Sequence, residues 1–507
     1  MQNENETKPS GSTEYTPPAG STTLHTHVTD DGRSLEYTAV AEWLVLRKKE
    51  EPIAEVFHVA YTVPTDEKNP RPITFVFNGG PGAASAYLHV GAVGPRRVVF
   101  DKKGDAPAPP SRLEDNPQSW LEFTDLVFVD PVGTGFSRTI KKKGGDGAEE
   151  KSAGKGEKDG ENTEFFGLKR DLEALGEFMQ KYLSKWHRWD SPVFVSGESY
   201  GGFRAAKLSR LLHEGYGIGL NGVVLISPAL EFPLLDSSDY DVLPWIDTFP
   251  SMAAAAAFHG RSGVYDSHSP VADVAANAAS FACTDMARAL VSGNGMAERD
   301  LDRISKRAAK FLGIDAAVVQ RAAGRVTPRV FARTLLADER RVCGLYDATI
   351  TVSDPYPDRE TYEGPDPTLY GIERVFTAGI NTQLRRALKL ETERDYHLLS
   401  RDVNRAWKID HERHALESQI GATDDLRYGM TINRHMKVLI AHGYFDLETP
   451  FYSTERLVNH MKLSPELRSN LSTAYYGGGH MFYTWESSRA AFFARIKEFY
   501  AGSVQET

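Results

Sequence analysis

Five times along this chain a short apolar run stops abruptly at a turn built from glycine, proline and small polar residues. Ile73–Phe77 leads into Asn78-Gly79-Gly80-Pro81-Gly82, and Leu126–Val129 into Asp130-Pro131-Val132-Gly133-Thr134-Gly135. Val193–Val195 runs into Ser196-Gly197-Glu198-Ser199-Tyr200-Gly201-Gly202, Val223–Ile226 into Ser227-Pro228, and Val438–Ile440 into His442-Gly443. Short continuous apolar runs bounded by turns read as strands buried on both faces. Helix-like stretches, notably Phe166–Leu183 and Phe203–His213, lie between them. Strand, turn and helix in alternation predict an α/β fold, with a mostly parallel central sheet and helices on both faces. Ligands in such sheets bind at the carboxyl ends of the strands, where these turns sit. Leu35–Leu46 and Glu55–Val63 alternate more strictly and predict an antiparallel hairpin on the sheet edge.

With 507 residues the chain exceeds one ordinary domain, and the excess is concentrated. From Ile226 to Val438 is about 210 residues, whereas a strand–helix–strand unit needs about 30. The expected organisation is a disordered tail over 1–25, an α/β core over 26–230, a helical cap inserted over 231–430, and the rest of the core over 431–502. Within the first part, 141–162 holds six Lys, six acidic residues and six Gly, a composition that predicts a solvated, flexible loop. An apolar fraction of 41% excludes a wholly disordered chain. A net charge of −10 without a basic stripe argues against nucleic acid as a partner. No apolar run is long enough to span a membrane, and the polar N-terminus is not a signal peptide. The expected location is the cytoplasm, or the periplasm or exterior if a leader has been removed. Cys283 and Cys343 read as free, buried thiols. Oligomeric state is not legible.

Gly197-Glu198-Ser199-Tyr200-Gly201 is a G-x-S-x-G motif between a strand and a helix, the context in which its glycines permit a cramped turn that exposes a serine hydroxyl. Serine is a poor nucleophile at neutral pH and needs a base, which in turn needs a residue to orient it. Asp446 follows the strand Val438–Ile440, and His480 follows Tyr475-Tyr476-Gly477-Gly478-Gly479, so nucleophile, acid and base come in the chain order of an α/β-hydrolase. The alternatives fit less well: His442 precedes the acid, Asp425 precedes the strand, and His460 sits in a helix-like stretch. Asp410-His411-Glu412-Arg413-His414 is one residue short of a zinc-binding HExxH, and the chemistry calls for no metal or cofactor. Backbone N–H groups of Tyr200, after the nucleophile, and Gly80, in the glycine-rich turn, are expected to form the oxyanion hole.

Together these segments resemble the serine carboxypeptidase family, in the manner of a bacterial-type member without disulfides. Asn78–Gly82 with Gly94-Pro95 is similar to its oxyanion segment, Asp130–Ser137 to its second signature, Gly197–Gly202 to its nucleophile motif, and Asp446 and Gly479-His480-Met481 to its acid and base segments. The resemblance covers roughly 70–230 and 437–485 and implies an α/β-hydrolase with an inserted cap, acting on peptides with a free C-terminus. It further implies that Asn78, Gly79 and Glu198 bind the substrate's terminal carboxylate. That contact is favourable only while Glu198 is protonated, so an acidic optimum follows. The chain departs from the family pattern at Ala92, where a second glutamate is usual, and at Val76 and Ala83, usually an aromatic residue and a cysteine. An esterase or acyltransferase using the same triad remains an alternative reading, as does a catalytically silent binding module.

Overall fold

The computed structural model describes residues 15–65, 68–140, 163–235, 237–359, 361–409 and 420–504. The loop expected over 141–162, and His411 and His414, lie outside the described residues.

The central sheet contains β1 (Ser21–Val28), β2 (Ser34–Lys48), β3 (Glu51–Thr62), β4 (Ile73–Phe77), β5 (Asp125–Val129), β6 (Val193–Glu198), β7 (Gly222–Ile226), β8 (Lys437–Gly443) and β9 (Leu471–Tyr476). Its order is β1-β2-β3-β5-β4-β6-β7-β8-β9, with the two-residue strand Arg138–Thr139 beside β3. The first three strands and the β3–β5 pair run antiparallel, and every later pair runs parallel. The crossed positions of β4 and β5 followed by a parallel run are the topology of the α/β-hydrolase fold.

Both faces of the parallel strands are apolar, and side-chain alternation divides them between two cores. Ile73, Phe75, Val223, Leu225, Val438 and Ile440 enter one core. Val76, Val224, Ile226, Leu439 and Ala441 enter the other. The first core is covered by α1 (Leu168–Lys185) and α2 (Tyr200–Tyr216), which contribute Phe178, Met179, Phe203 and Leu208.

The interval expected as one cap over 231–430 divides three ways. Only its first part, from α3 (Leu243–Phe258) to about residue 348, builds a core of its own. Further on, α4 (Pro367–Asn381) lays Ile372, Phe376 and Ile380 on the second core, beside Phe492 and Ile496 of the C-terminal helix Glu486–Val504. Finally α5 (Thr423–Ile432) packs Leu426 and Met430 on the first core. The amphipathic stripes of α4 and α5 find the exposed sheet layers before the chain returns to β8.

Two other expectations are corrected. Ser21–His25, assigned to the tail, lies in β1, paired with β2 from Ser21↔Ala41 to Val28↔Ser34. The backbone ladder holds this edge strand while Leu24 stays 82% exposed, so no apolar pattern marks it. The β2–β3 hairpin therefore sits one strand in from the edge. Cys343 is buried, but Cys283 is exposed, its Sγ 3.0 Å from the Tyr452 hydroxyl.

Candidate active site

Ser199 occupies the single residue between β6 and α2, with φ of +60° and ψ of −125°. A left-handed serine is strained, and the surrounding backbone over-determines it. Its N–H donates to the Ile226 carbonyl (2.9 Å), and its carbonyl accepts from Gly202 N–H (2.9 Å). The flanking glycines are required by contact: a Cβ on Gly197 would lie 1.9 Å from Gly201 O, and one on Gly202 would lie 2.6 Å from Pro228 Cβ. A Cβ on Gly201 would meet Phe77 O at 2.6 Å and Asn78 O at 2.8 Å.

The Asn78–Gly82 turn, following β4, packs onto this elbow so closely that a Cβ on Gly79 would stand 2.5 Å from Tyr200 N. Gly80 adopts φ of +100°. Buried Arg204 of α2 donates to Asn78 O (2.8 Å) and forms an ion pair with Asp171 of α1 (2.7 Å). Arg204 thus fixes the Asn78 carbonyl from below, a role that no local motif announces.

The acid and base loops follow β8 and β9. His480 Nδ1 donates to Asp446 Oδ2 at 2.7 Å, both side chains being buried. Asp446 Oδ1 accepts the N–H groups of Glu448 (2.9 Å) and Thr449 (3.0 Å). Thr449 Oγ1 lies 2.7 Å from Asp446 Oδ2 and 3.0 Å from both His480 Nδ1 and the Ser227 carbonyl. Burial works against a charged His480, but the carboxylates of Asp446, Glu198 and Glu448 outweigh it and hold its pKa above the ordinary value. The rival His442 is buried with Nε2 on Thr454 Oγ1 (2.8 Å), and burial pushes it down to about 4. Asp425 pairs with Lys207.

A segment of the insertion clasps both loops. Leu447 N–H donates to Leu345 O (2.9 Å), and Ala348 N–H to Phe445 O (3.0 Å). His480 N–H donates to Tyr346 O (2.5 Å), and Gly479 N–H to the buried Asp347 Oδ2 (2.8 Å). A Cβ on Gly479 would be 2.1 Å from Tyr346 O, so glycine is needed there for the approach. Sequence reasoning missed Asp347 and Tyr346 because they lie more than 130 residues from the loop they hold.

Asn78, Gly79, Gly80, Glu198, Ser199 and His480 line one cavity of about 60 Å³, with Tyr87, Tyr346 and Met481 also in its wall. Ser199, His480, Asn78, Gly79 and Glu198 therefore meet at this cavity, while Asp446 stays outside its lining and reaches it through His480. Among the described residues no hydrogen bond joins Ser199 Oγ to His480; the two share the cavity wall. Asn78 Nδ2 donates to Glu198 Oε1 (3.0 Å), and its Oδ1 accepts Leu88 N–H (2.9 Å). Burial drives the Glu198 pKa up to about 7, against the opposing pull of His480. The Tyr483 hydroxyl opposes that rise, although neither it nor Glu198 Oε2 has a partner in hydrogen-bond geometry. Ala92 is buried outside this lining, its carbonyl accepting from Asn116. The Asp130–Ser137 turn also lies outside the lining and braces the elbow's neighbour: Asp130 Oδ1 accepts Ser85 N–H (2.9 Å) and Ser137 Oγ donates to Asp130 O (2.6 Å).

Residues 45–236 match the family described as serine carboxypeptidase. "Serine carboxypeptidase-like 13" of Arabidopsis thaliana is 30% identical over 168 residues, 32% of this chain and 34% of that protein. "Pheromone-processing carboxypeptidase KEX1" of Phaeosphaeria nodorum is 30% identical over 141 residues, 27% of this chain and 17% of that protein. The matches thus span about a third or less of these relatives' own length. Among solved structures, a soluble variant of monoglyceride lipase from Saccharomyces cerevisiae aligns with a TM-score of 0.35 and 12% identity, over 91% of this chain and 94% of that chain. The family match over 45–236 and the five ordered segments make this part of the chain similar to the serine carboxypeptidase family.

Proposed function

We propose that this chain is a serine-type carboxypeptidase that cleaves C-terminal residues from peptides through Ser199, His480 and Asp446. The observation that carries this reading is a strained serine sharing one cavity with a histidine whose far ring nitrogen rests on a buried aspartate.

Ser199 Oγ attacks the scissile carbonyl carbon while His480 Nε2 takes the hydroxyl proton. The carbonyl π pair moves onto oxygen, and the N–H groups of Gly80 and Tyr200 stabilise that oxyanion. His480 passes its proton to the leaving nitrogen, the C–N bond breaks, and an acyl-serine remains. Water, deprotonated by the same imidazole, attacks the ester, and collapse returns the proton to Ser199. Asp446 fixes the Nδ1–H tautomer and offsets the imidazolium charge, and its own lone pairs are oriented by Thr449 and two backbone N–H groups. At the far wall, protonated Glu198 donates to the peptide's terminal carboxylate, supported by Asn78 and the backbone of Gly79.

Support for the terminal-carboxylate contact is the buried Glu198, raised to about 7 and tied to Asn78. One observation favours the second reading, an esterase or acyltransferase: Glu198 is the sole acidic side chain among the described residues of the cavity lining, and the usual place of a second glutamate is taken by Ala92. A blocked dipeptide, its C-terminal amide and its ester separate the two readings. Preference for the free acid of at least tenfold supports the carboxypeptidase; indifference to the carboxylate overturns it. A fluorophosphonate should label the wild type and not Ser199→Ala, and absence of labelling would leave the silent binding module.

A further inference from the structure

Behind the catalytic cavity lies a larger one. Its volume is about 420 Å³, against about 60 Å³ for the catalytic cavity, and within the range of roughly 300–1,000 Å³ usual for small-molecule sites. The two share a partition. Leu345 faces the larger space and its neighbour Tyr346 the catalytic one; at the start of α4, Asp366 and Pro367 face the larger space and Leu369 the catalytic one.

The chemistry of the larger cavity is lopsided. Val318, Val330, Val342 and Leu345 give it aliphatic walls, and three arginines, Arg321, Arg329 and Arg333, also line it. Arg333 is already committed, its guanidinium 2.5 Å from Asp354. Arg321 and Arg329, both exposed to solvent, form no ion pair with any described residue, and Arg329 lies near enough to Asp366 and Glu448 to oppose the rise of their carboxyl pKa values. The one carboxylate in the lining, Asp366, is used locally: Oδ2 accepts Leu345 N–H (2.6 Å) and Oδ1 accepts Leu369 N–H (2.9 Å). The Cys343 thiol is kept neutral by burial, which pushes its pKa up to about 12, and the other polar side chains of the lining are the hydroxyls of Thr334, Thr361 and Tyr362. Two arginines without an ion-pair partner among the described residues, beside an aliphatic surface, suit a ligand that is anionic at one end and apolar at the other.

We propose that this cavity of the insertion is a binding site for an amphipathic carboxylate, its head held by Arg321 and Arg329 and its aliphatic tail laid on Val318, Val330 and Val342. The site is distinct from the Ser199 cavity, and its occupancy bears on Leu345, whose carbonyl anchors the acid loop through Leu447.

The test titrates the full chain with decanoate, below its micelle concentration, and with decanamide at the same ionic strength. The expected result is saturable binding with the acid at least about tenfold tighter than the amide, the worth of one charge-assisted contact. In the Arg321→Gln/Arg329→Gln variant, discrimination should fall below about twofold. Val342→Phe, which fills the floor and leaves both arginines, should weaken both ligands about tenfold. A photoreactive diazirine decanoate should label peptides covering 318–345 or 361–367. Equal affinity for acid and amide, discrimination that survives loss of both arginines, or an absence of saturable binding would overturn the site. Unchanged affinity in Val342→Phe, or labelling at Leu369 and Met481, would overturn it equally, the latter by placing the ligand in the catalytic cavity.

Discussion

The two sides of the catalytic cavity are held by different means. On the nucleophile side, Ser199 and the Asn78–Gly82 turn are positioned by backbone pressed against backbone, at distances that only Gly79, Gly197 and Gly201 tolerate. On the base side, Asp446 and His480 sit on loops beyond β8 and β9 that are fastened from outside by Leu345–Ala348 of the insertion. The first side is an internal property of the sheet. The second depends on a segment outside the sheet, so the insertion acts as a second scaffold as well as a cover. Substitutions on the two sides should therefore fail differently.

The largest effect is expected at the acid. Asp446→Asn should lower kcat by about 10⁴, because the amide favours the wrong imidazole tautomer while leaving the packing nearly intact. Steady-state turnover with an unchanged melting temperature would confirm it; a loss below about tenfold would point to another acid.

Next comes Gly201→Ala, on the nucleophile side. Its new methyl would sit 2.6 Å from Phe77 O and 2.8 Å from Asn78 O, both main-chain atoms that cannot swing away. Overpacking of this kind costs about 1–3 kcal/mol, and the displaced elbow should cost about 10² in turnover. Stability and activity should fall together, as measured by chemical denaturation and kcat on one preparation.

Asp347→Asn should separate those two quantities. Burial raises the Asp347 carboxyl to about 6, above the unfolded value. The folded state thus holds its proton more tightly, and ionisation of Asp347 lowers stability as pH rises from the unfolded value through about 6. Asparagine removes that burial cost but presents an N–H₂ group where Gly479 N–H requires an acceptor. The expected outcome at pH 7.5 is equal or greater thermal stability, kcat lower by about tenfold, and KM little changed. A parallel loss of stability would reduce Asp347 to packing; unchanged kcat would mean the clasp does not position His480.

This contrast also explains what was legible in the sequence. Ser199, Asp446 and His480 each follow a strand within a few residues and carry glycines or an ordered position, so local pattern suffices to nominate them. Glu198 and Asn78 were legible through the same motifs, and the structure joins them at 3.0 Å. Thr449 left a weaker trace, a hydroxyl three residues past an aspartate, the spacing of a side-chain-capped turn. Asp347, Tyr346 and Arg204 left none, since each acts across a long loop and nothing local distinguishes a clasping aspartate from a surface one. The same limit applied to the fold. The β4–β8 runs announce themselves by being apolar on both faces, whereas β1 is held by its ladder with Leu24 in solvent. The stripe Ile372, Phe376 and Ile380 marks α4 as amphipathic, but it cannot say that the surface it covers is the sheet rather than the cap.

The smallest effect near neutral pH, and the one that probes the wall between the two sides, is expected from Glu198→Gln. Glu198 is raised to about 7 by burial, and as a donor to a terminal carboxylate it works only when protonated. For peptide acids kcat/KM should therefore decline as pH rises through about 7. The acidic limb belongs to His480, which must be neutral to accept the Ser199 proton and whose pKa is held above its ordinary value in part by Glu198 itself. Glutamine keeps an acceptor for Asn78 and a permanent donor for the substrate while removing the charge. Two shifts of stated sign follow: the alkaline decline disappears, and the acidic limb moves to lower pH because one carboxylate stabilising the imidazolium has gone. With a C-terminally amidated substrate the alkaline decline should be absent in both proteins, whereas the acidic limb should still move. A pH profile of the variant that superimposes on that of the wild type would remove Glu198 from carboxylate binding and from the electrostatics of His480 together.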